Sequence, residues 1–422
     1  MLAFYNLWSL TVLALFYFGP IEWPGSSAPS VGLFVLACLA FFNIGALVTP
    51  TTTAPRRGSL PIPQSATRAR AVMAAYALAM LTHLYLVTGK NPFSPSSYTA
   101  GLGETYLDFT QNQGVQAGGA LLILITLLRA ALFPFALMIF VDRFTRDKIS
   151  ISLLIVPLLV SSVLRGTDKE IFDVIVIGFV GAYLHGRLNK RALGFLVAVP
   201  AMLSLFVTRR QARFGDALPT CLPGGTACFD YDSWVGRTFG PSAEILYVFA
   251  ANYATNGYQG LSMALSSPFN WNAGLGHMPP VKASACSLLN VACDMPDYQT
   301  QLLGQGWDTR TKWTSAYSLL ANDLTFLLVP IYMLAFGLLF SRSLASWRRH
   351  QDAFSGCSLI LITMLIVYAS ANLQITISLD WAVATIVFGY WGLIRPRSKA
   401  GSPQPDVGKR DPESAWPTRA HS

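Results

Sequence analysis

The chain has 422 residues, of which 53% are hydrophobic and only 12% are charged, and its mean hydropathy is +0.44. A soluble protein carries about twice that share of charged residues, so the composition excludes an ordinary soluble enzyme and indicates a polytopic all-α membrane protein. The formal charge of +9 does not indicate a nucleic-acid partner, because the basic residues are scattered between apolar runs and not gathered in one domain.

Long apolar runs predict about ten membrane-spanning helices, because about 20 apolar residues in a helix cross the roughly 30 Å of hydrocarbon in a bilayer. The predicted spans cover about residues 2–19, 31–49, 71–88, 117–141, 149–164, 170–184, 192–208, 316–341, 356–372 and 376–394. The polar loop between the seventh and eighth spans is far longer than an ordinary connection, and such loops usually carry function. The predicted regions are spans one to seven (1–208), the long loop (209–315), spans eight to ten (316–395) and a disordered tail (396–422).

Basic residues are concentrated in every second connection between the spans. The five basic segments are 50–70, 142–148, 185–191, 342–350 and 395–399. The short connections 20–30, 89–116 and 373–375, which alternate with them, contain a single lysine, Lys90. Because Lys and Arg are enriched in short cytoplasmic loops, this pattern predicts that both termini are cytoplasmic and that the long loop lies on the outer side.

Arg129 lies near the middle of the fourth predicted span, in LLILITLLRAALFPF. A charge at that depth is unfavourable by several kcal/mol and usually faces a cavity or a partner. Asp173, Asp323 and Asp380 are candidate partners. A structural ion pair and a contact with substrate are both consistent with the sequence.

Two groups of arginines lie on the predicted outer side, against the usual bias. Arg165 is in the connection 165–169, and Arg209, Arg210 and Arg213 begin the long loop. One interpretation is that they bind lipid headgroups or pair with loop aspartates. The other is that they bind a phosphate or diphosphate at the membrane surface, because the planar guanidinium makes bidentate bonds to phosphate oxygens and stays charged.

The long loop contains an apolar stretch, 241–269, that resembles a span. We interpret it as a helix at the outer interface, over about 241–266, because a crossing would move the basic segments 342–350 and 395–399 to the outside. Pro241 suits the first position of that helix, and Glu244 falls in its first turn, where the helix dipole favours an anion.

Four cysteines in the loop form two pairs, each with a separation of seven residues: Cys221 with Cys228, and Cys286 with Cys293. In an oxidising compartment this predicts two disulfides, and we favour local pairing over the two other connectivities. A zinc site is the weaker interpretation, because the spacing is unlike CxxC and only His277 could complete it. No metal or cofactor is predicted.

His277, in WNAGLGHMPP, is the one histidine predicted to lie on the outer side of the membrane. A lone histidine in a turn is often incidental, but a general base that works at neutral pH is most easily a histidine or a carboxylate with a raised pKa. His277 and Glu244 are therefore the leading candidates for catalysis. Aromatic and amide side chains of the loop, including Tyr258, could stack on sugars and form hydrogen bonds with them. Such residues are equally expected at a membrane interface.

This layout, together with three local segments, resembles the Wzy-type oligosaccharide repeat-unit polymerases, which are distantly similar to O-antigen ligases. The three segments are YATNGYQGLSMALSSPFNWNAGLGHMPP (253–280), TKWTSAYSLLANDLTFLLVPIYMLAFGLLFSRSLASW (311–347) and LRGTDKEIFDVIV (164–176). The resemblance implies a GT-C-like glycosyltransferase of the bacterial inner membrane that uses undecaprenyl-diphosphate-linked oligosaccharides as donor and acceptor at the periplasmic face. It also implies a flippase and a chain-length regulator as partners.

By position, the resemblance gives Arg165 and the cluster Arg209–Arg213 the contacts with the diphosphate, without a metal ion. His277 resembles the loop histidine that ligases place after a glycine-rich turn, but Met278 stands where ligases usually have an asparagine. Two other functions remain open. An O-antigen ligase would transfer the same donor to lipid A–core, and a polysaccharide or lipid transporter would use Arg129 and Asp323 to line a pathway.

Overall fold

The computed structural model describes residues 1–48, 65–98, 119–187, 221, 227–272, 274–289, 296–309 and 312–394. Within these ranges the chain is mostly helical, which confirms the all-α class. The helices are α1 (Leu2–Phe18), α2 (Ser30–Leu47), α3 (Ala66–Thr88), α4 (Ala120–Arg143), α5 (Lys148–Arg165), α6 (Lys169–Leu184), α7 (Trp234–Phe239), α8 (Pro241–Leu265), α9 (Pro279–Leu289), α10 (Tyr298–Gly304), α11 (Ser315–His350), α12 (Ala353–Val367), α13 (Gln374–Ile377) and α14 (Leu379–Ile394).

Five of the described helices, α2 to α5 and α11, are long and apolar enough to cross a membrane. Three further helices, α1, α12 and α14, are apolar but shorter. The sixth predicted span corresponds to α6, and the seventh, 192–208, lies outside the described residues. The apolar helices support a membrane protein, and the count of ten spans stays a prediction.

The turn between α5 and α6 shows why these two helices form where they do. Asp147 caps the start of α5, where its side chain accepts a hydrogen bond from the Ser150 N–H. The helix ends at Gly166, whose φ of 63° lies in the left-handed region that glycine tolerates without strain. Because α6 begins only three residues later, Arg165 and Glu170 are brought together across the turn.

Asp147 also pairs with Arg70 of α3, with 3.0 Å between Nε and Oδ2. The hydrogen bonds from Arg70, followed by those from Ser150, lower the pKa of Asp147 to about 2. Because the pKa in an unfolded chain is about 3.9, the stabilisation is fully present above about pH 4 and is lost as the pH falls towards 2. We expect the difference in unfolding temperature between the wild type and Asp147→Asn, measured in detergent, to shrink over this range. A difference that does not change with pH would contradict this assignment.

Helices α2 and α11 approach each other closely enough for their backbones to touch. A Cβ added to Gly45 would overlap the carbonyl oxygen of Leu334, and one added to Gly337 would overlap that of Phe42. Small residues at such a crossing allow the close packing that holds helices together in a bilayer, where the hydrophobic effect does not.

Helix α8 of the long loop is hydrogen-bonded to the segment that follows α1. The indole N–H of Trp23 donates to Thr255 Oγ1 at 2.9 Å, and the Gly25 N–H donates to Gln259 Oε1 at 2.7 Å. The strands β1 (Ile21–Glu22) and β2 (Cys228–Phe229) pair antiparallel beside them. The loop is therefore packed onto the bundle over this stretch.

Two helices of the bundle contain irregular segments. Helix α11 is broken at Thr325, which has φ 56° and ψ 159°. Helix α14 turns π-helical over Thr385–Tyr390. Both irregular segments lie beside side chains of the candidate site described next.

Candidate functional site

A cavity of about 570 Å³ opens between α3, α4, α5, α6 and the segment that begins α14. We call it the polar cavity, because charged side chains line it although apolar helices surround it. Among the described residues, its charged and histidine lining consists of His83, Lys90, Arg129, Arg165, Lys169, Glu170, Asp173 and Asp380. The sequence-predicted Arg129 and Arg165 therefore face one common space.

Arg129 forms a buried ion pair with Asp380, with 2.9 Å between Nε and the carboxylate. The two side chains are only 13% and 10% exposed. Arg129 Nη1 also lies 2.9 Å from His83 Nδ1, and because arginine can only donate, His83 accepts through this nitrogen. Of the three aspartates that were candidates from the sequence, Asp380 is the partner. The guanidinium is thereby held in place at the cavity wall.

Arg165 contacts Glu170 across the turn between α5 and α6, with 2.5 Å between Nη1 and Oε1. The other carboxylate oxygen of Glu170 accepts a hydrogen bond from the Thr167 hydroxyl at 2.7 Å. The Glu170 side chain is 5% exposed and that of Arg165 is 27% exposed, so the guanidinium is the accessible partner of the pair.

Lys169 also lines the polar cavity and forms no ion pair with any residue that the structure describes. Nearby Asp173 accepts hydrogen bonds from the Tyr368 hydroxyl at 3.0 Å and from the Gln374 amide at 3.3 Å. The ammonium of Lys169 interacts electrostatically with Asp173, and also with Glu170 and Asp380. Lys169 is therefore balanced by carboxylates of the cavity wall, without a salt bridge to any of them.

His277 lies in a second group, which we call the histidine cluster: His277, Asp323 of α11 and Tyr390 of α14. His277 Nδ1 is 2.6 Å from Asp323 Oδ2, and the Tyr390 hydroxyl is 2.8 Å from His277 Nε2. The backbone N–H groups of His277 and Gly274 also donate to the Asp323 carboxylate, at 2.8 and 3.1 Å. The lone loop histidine of the sequence is thus bonded on both of its ring nitrogens.

The two groups are connected by α14, which supplies Asp380 to the polar cavity and Tyr390 to the histidine cluster. Ten residues of helix separate these positions, which corresponds to roughly 15 Å along the axis. The Tyr390 side chain shortens this distance, because helical side chains lean towards the N-terminus of their helix.

The structure places two other predicted site residues elsewhere. Tyr258 is 1% exposed and packs edge-on against Phe16, with 5.7 Å between ring centroids, so it belongs to the core beneath α8. Glu244 is 3% exposed and accepts a hydrogen bond from the Ser233 hydroxyl at 2.8 Å. Neither residue lines the polar cavity or contacts the histidine cluster.

The remaining predicted groups are described in part. Arg209, Arg210, Arg213 and Cys293 lie outside the described residues. Cys221 and Cys228 are joined by a disulfide, and Cys286 is also disulfide-bonded. Within the described ranges no group of three or more His, Cys, Asp and Glu residues is arranged to hold a metal ion.

Sequence reasoning did not assign Asp323 and Tyr390 to His277 or Lys169 to the cavity. A signal existed for Asp323, because an acidic residue inside an apolar span usually serves a function. No comparable signal marks Tyr390, which is 113 residues from His277 and one of 16 tyrosines in the chain.

No family, curated protein or solved structure was found to match the chain.

Proposed function

We propose that this protein is a membrane glycosyltransferase that joins lipid-diphosphate-linked oligosaccharide repeat units and releases undecaprenyl diphosphate. The observation that carries the proposal is the polar cavity, in which Arg129, Arg165 and Lys169 face one space between apolar helices. Guanidinium groups bind phosphate oxygens through paired hydrogen bonds, and a lipid diphosphate is an anion that reaches such a cavity from within the bilayer.

The donor's diphosphate would bind in the polar cavity, and its first sugar would extend along α14 towards the histidine cluster. As the glycosidic bond to the diphosphate breaks, negative charge grows on the leaving oxygen. Preorganised cations at that position stabilise the transition state more than the ground state, which is the main source of rate in such sites. The family resemblance also gives Arg209, Arg210 and Arg213 a role in binding the diphosphate.

The acceptor would be a second lipid-linked repeat unit, whose hydroxyl attacks the anomeric carbon. His277 supplies the base, because Asp323 holds its imidazole in place. Binding both lipids at one membrane surface adds proximity to the catalysis. Both substrates would enter the site from the periplasmic side of the bacterial inner membrane, and both termini would be cytoplasmic. A flippase that delivers the substrates and a chain-length regulator would be partners.

Two rival functions use the same features differently. An O-antigen ligase shares the donor and differs only in its acceptor, lipid A–core. A transporter is favoured by the three carboxylates, Glu170, Asp173 and Asp380, that line the cavity beside the cations. The histidine cluster favours an enzyme over a transporter, because an oriented histidine–aspartate pair is typical of general base catalysis.

The deciding experiment measures the length and the lipid attachment of surface glycans in a strain that lacks the protein. We expect the ladder of polymer to disappear and single repeat units to remain. Long polymer that is kept on undecaprenyl diphosphate and absent from lipid A would identify a ligase instead. An unchanged distribution of glycans would contradict both enzymes and would favour the transporter.

The role of the polar cavity in the reaction can be tested by replacing two arginines, each of which pairs with a carboxylate. Arg165 lines the cavity and pairs with Glu170, whereas Arg70 pairs with Asp147 outside it. We expect Arg165→Gln to lower the polymerisation rate by about 10²–10³-fold, the usual effect of removing one donor from a charged transition state. Arg70→Gln should leave the rate near that of the wild type. Equal losses from equally abundant variants would show that both pairs serve only the fold.

A further inference from the structure

Asp323 holds the His277 imidazole in one orientation and one tautomer. Its carboxylate receives the His277 Nδ1–H at 2.6 Å and the backbone N–H groups of His277 and Gly274 at 2.8 and 3.1 Å. An ionised carboxylate can only accept hydrogen bonds, so Nδ1 is the nitrogen that carries the proton. The basic lone pair of the neutral ring is therefore on Nε2.

That lone pair is already occupied by the Tyr390 hydroxyl, which donates to Nε2 at 2.8 Å. The Tyr332 hydroxyl lies 3.3 Å from the Tyr390 oxygen. Because the Tyr390 hydrogen is directed at the histidine, Tyr332 is the donor of this pair and the Tyr390 oxygen is the acceptor. A substrate hydroxyl in this position would meet the tyrosine oxygen before it met Nε2.

Both helices that supply partners to His277 are irregular beside those partners. Thr325, two residues after Asp323, has a positive φ, a strained backbone conformation for a residue that is branched at Cβ. The π-helical turns end at Tyr390, and a single inserted residue rotates the following side chain by about 100° about the helix axis. Such irregular segments persist where the surrounding structure enforces them, and they are concentrated at functional sites.

We propose that Tyr390 is a catalytic residue that relays the proton of the acceptor hydroxyl to His277. The role rests on the glycosyltransferase function proposed above. The acceptor hydroxyl gives its proton to the Tyr390 oxygen while Tyr390 gives its own proton to His277 Nε2. The acceptor oxygen forms its bond to the anomeric carbon, and the electron pair of the breaking C–O bond leaves with the lipid diphosphate.

The relay ends on an imidazolium that is paired with the Asp323 carboxylate, and tyrosine is neutral before and after the step. His277 then returns its proton to water. Because the tyrosine exchanges one proton for another, it needs no negative charge of its own. Asp323 is a positioning residue in this scheme, and it also provides the counter-charge for the imidazolium.

The test uses purified full-length protein in lipid nanodiscs with undecaprenyl-diphosphate-linked repeat units as donor and acceptor. We expect Tyr390→Phe to lower kcat by about 10²–10⁴-fold, the usual contribution of proton transfer, with KM for the donor little changed. Combining Tyr390→Phe with His277→Gln should lower kcat no further than His277→Gln alone, because residues that act as one unit are not additive.

Tyr5→Phe is the matched control, since Tyr5 is fully buried and its hydroxyl bonds a single side chain, that of Thr363, at 2.8 Å. It should leave kcat near that of the wild type. Wild-type kcat in Tyr390→Phe would overturn the relay and leave the proposed function intact. Wild-type protein that forms no polymer from these substrates would refute the proposed function and the relay together.

Discussion

Replacement of His277 by glutamine is expected to reduce the polymerisation rate by about 10²–10⁴-fold without loss of protein from the membrane. Glutamine keeps a similar size and polarity, but it cannot take a proton from the tyrosine hydroxyl. The matched control is His185→Gln, because the His185 ring also makes a specific bond, to the carbonyl oxygen of Val141 at 2.8 Å, away from the histidine cluster. The measurement is the initial rate of polymer formation in nanodiscs, with the amount of folded protein determined for each variant.

Asp323→Asn tests whether Asp323 orients the His277 imidazole for catalysis or only stabilises the fold. An asparagine amide can donate to Nδ1, which would move the histidine proton to Nε2 and remove the base. We expect a fall in kcat of about 10²–10⁴-fold, as for other histidine–aspartate pairs. Among the described residues, Asp323 and Tyr390 are the titratable groups bonded to the imidazole, and Tyr332 lies behind Tyr390.

The fall should be seen in the rate per folded molecule, because the substitution removes the base and not the fold. A variant that merely folded less well would give fewer active molecules with an unchanged rate per folded molecule. Full activity per folded molecule in both Asp323→Asn and His277→Gln would exclude the histidine cluster from the reaction.

The second large effect concerns the buried pair of Arg129 and Asp380. Arg129→Gln is expected to destabilise the protein by about 3–5 kcal/mol, because it leaves the Asp380 carboxylate buried without its partner. The double variant with Asp380→Asn should recover most of that stability, since it removes both charges together. Unfolding in detergent, followed by circular dichroism, measures the change.

The same double variant tests the role of the cavity. If Arg129 contributes to binding the diphosphate, the double variant should fold stably but should form polymer at least about 10²-fold more slowly than the wild type. Recovery of both stability and polymer would mean that Arg129 and Asp380 are a structural pair. The proposal for the polar cavity would then depend on Arg165 and Lys169 alone.

The sequence predicted the helical elements better than their ends. Apolar runs located the five long helices, because length and hydropathy are what a bilayer demands of a span. The ninth predicted span, 356–372, corresponds to a helix that ends at Val367, and the tenth, 376–394, begins at Leu379. Hydropathy does not locate such breaks, because apolar residues such as Ala369, Leu373 and Ile375 continue between these helices and are buried.

The candidate site was predictable where chemistry alone marks a residue. A charge inside a span, such as Arg129, requires a partner or a cavity, and the structure supplies both. Which of three aspartates is the partner depends on how distant helices pack, and periodicity contains no information about that. For the same reason the role of Asp323 could not be predicted. As an acidic residue in a span it was a candidate partner for Arg129, but in the structure it contacts His277.

The pairing of Arg129 with Asp380 also constrains how the chain is made. The two residues are 251 positions apart, and Asp380 belongs to the last described helix. During synthesis, α4 reaches the translocon long before its counter-charge has been translated, and an arginine at mid-membrane opposes insertion by about 2.5–3.5 kcal/mol. The many apolar residues of α4 offset this cost, so the arginine enters the membrane without its counter-charge and gains it only when α14 has been made and packed against α4.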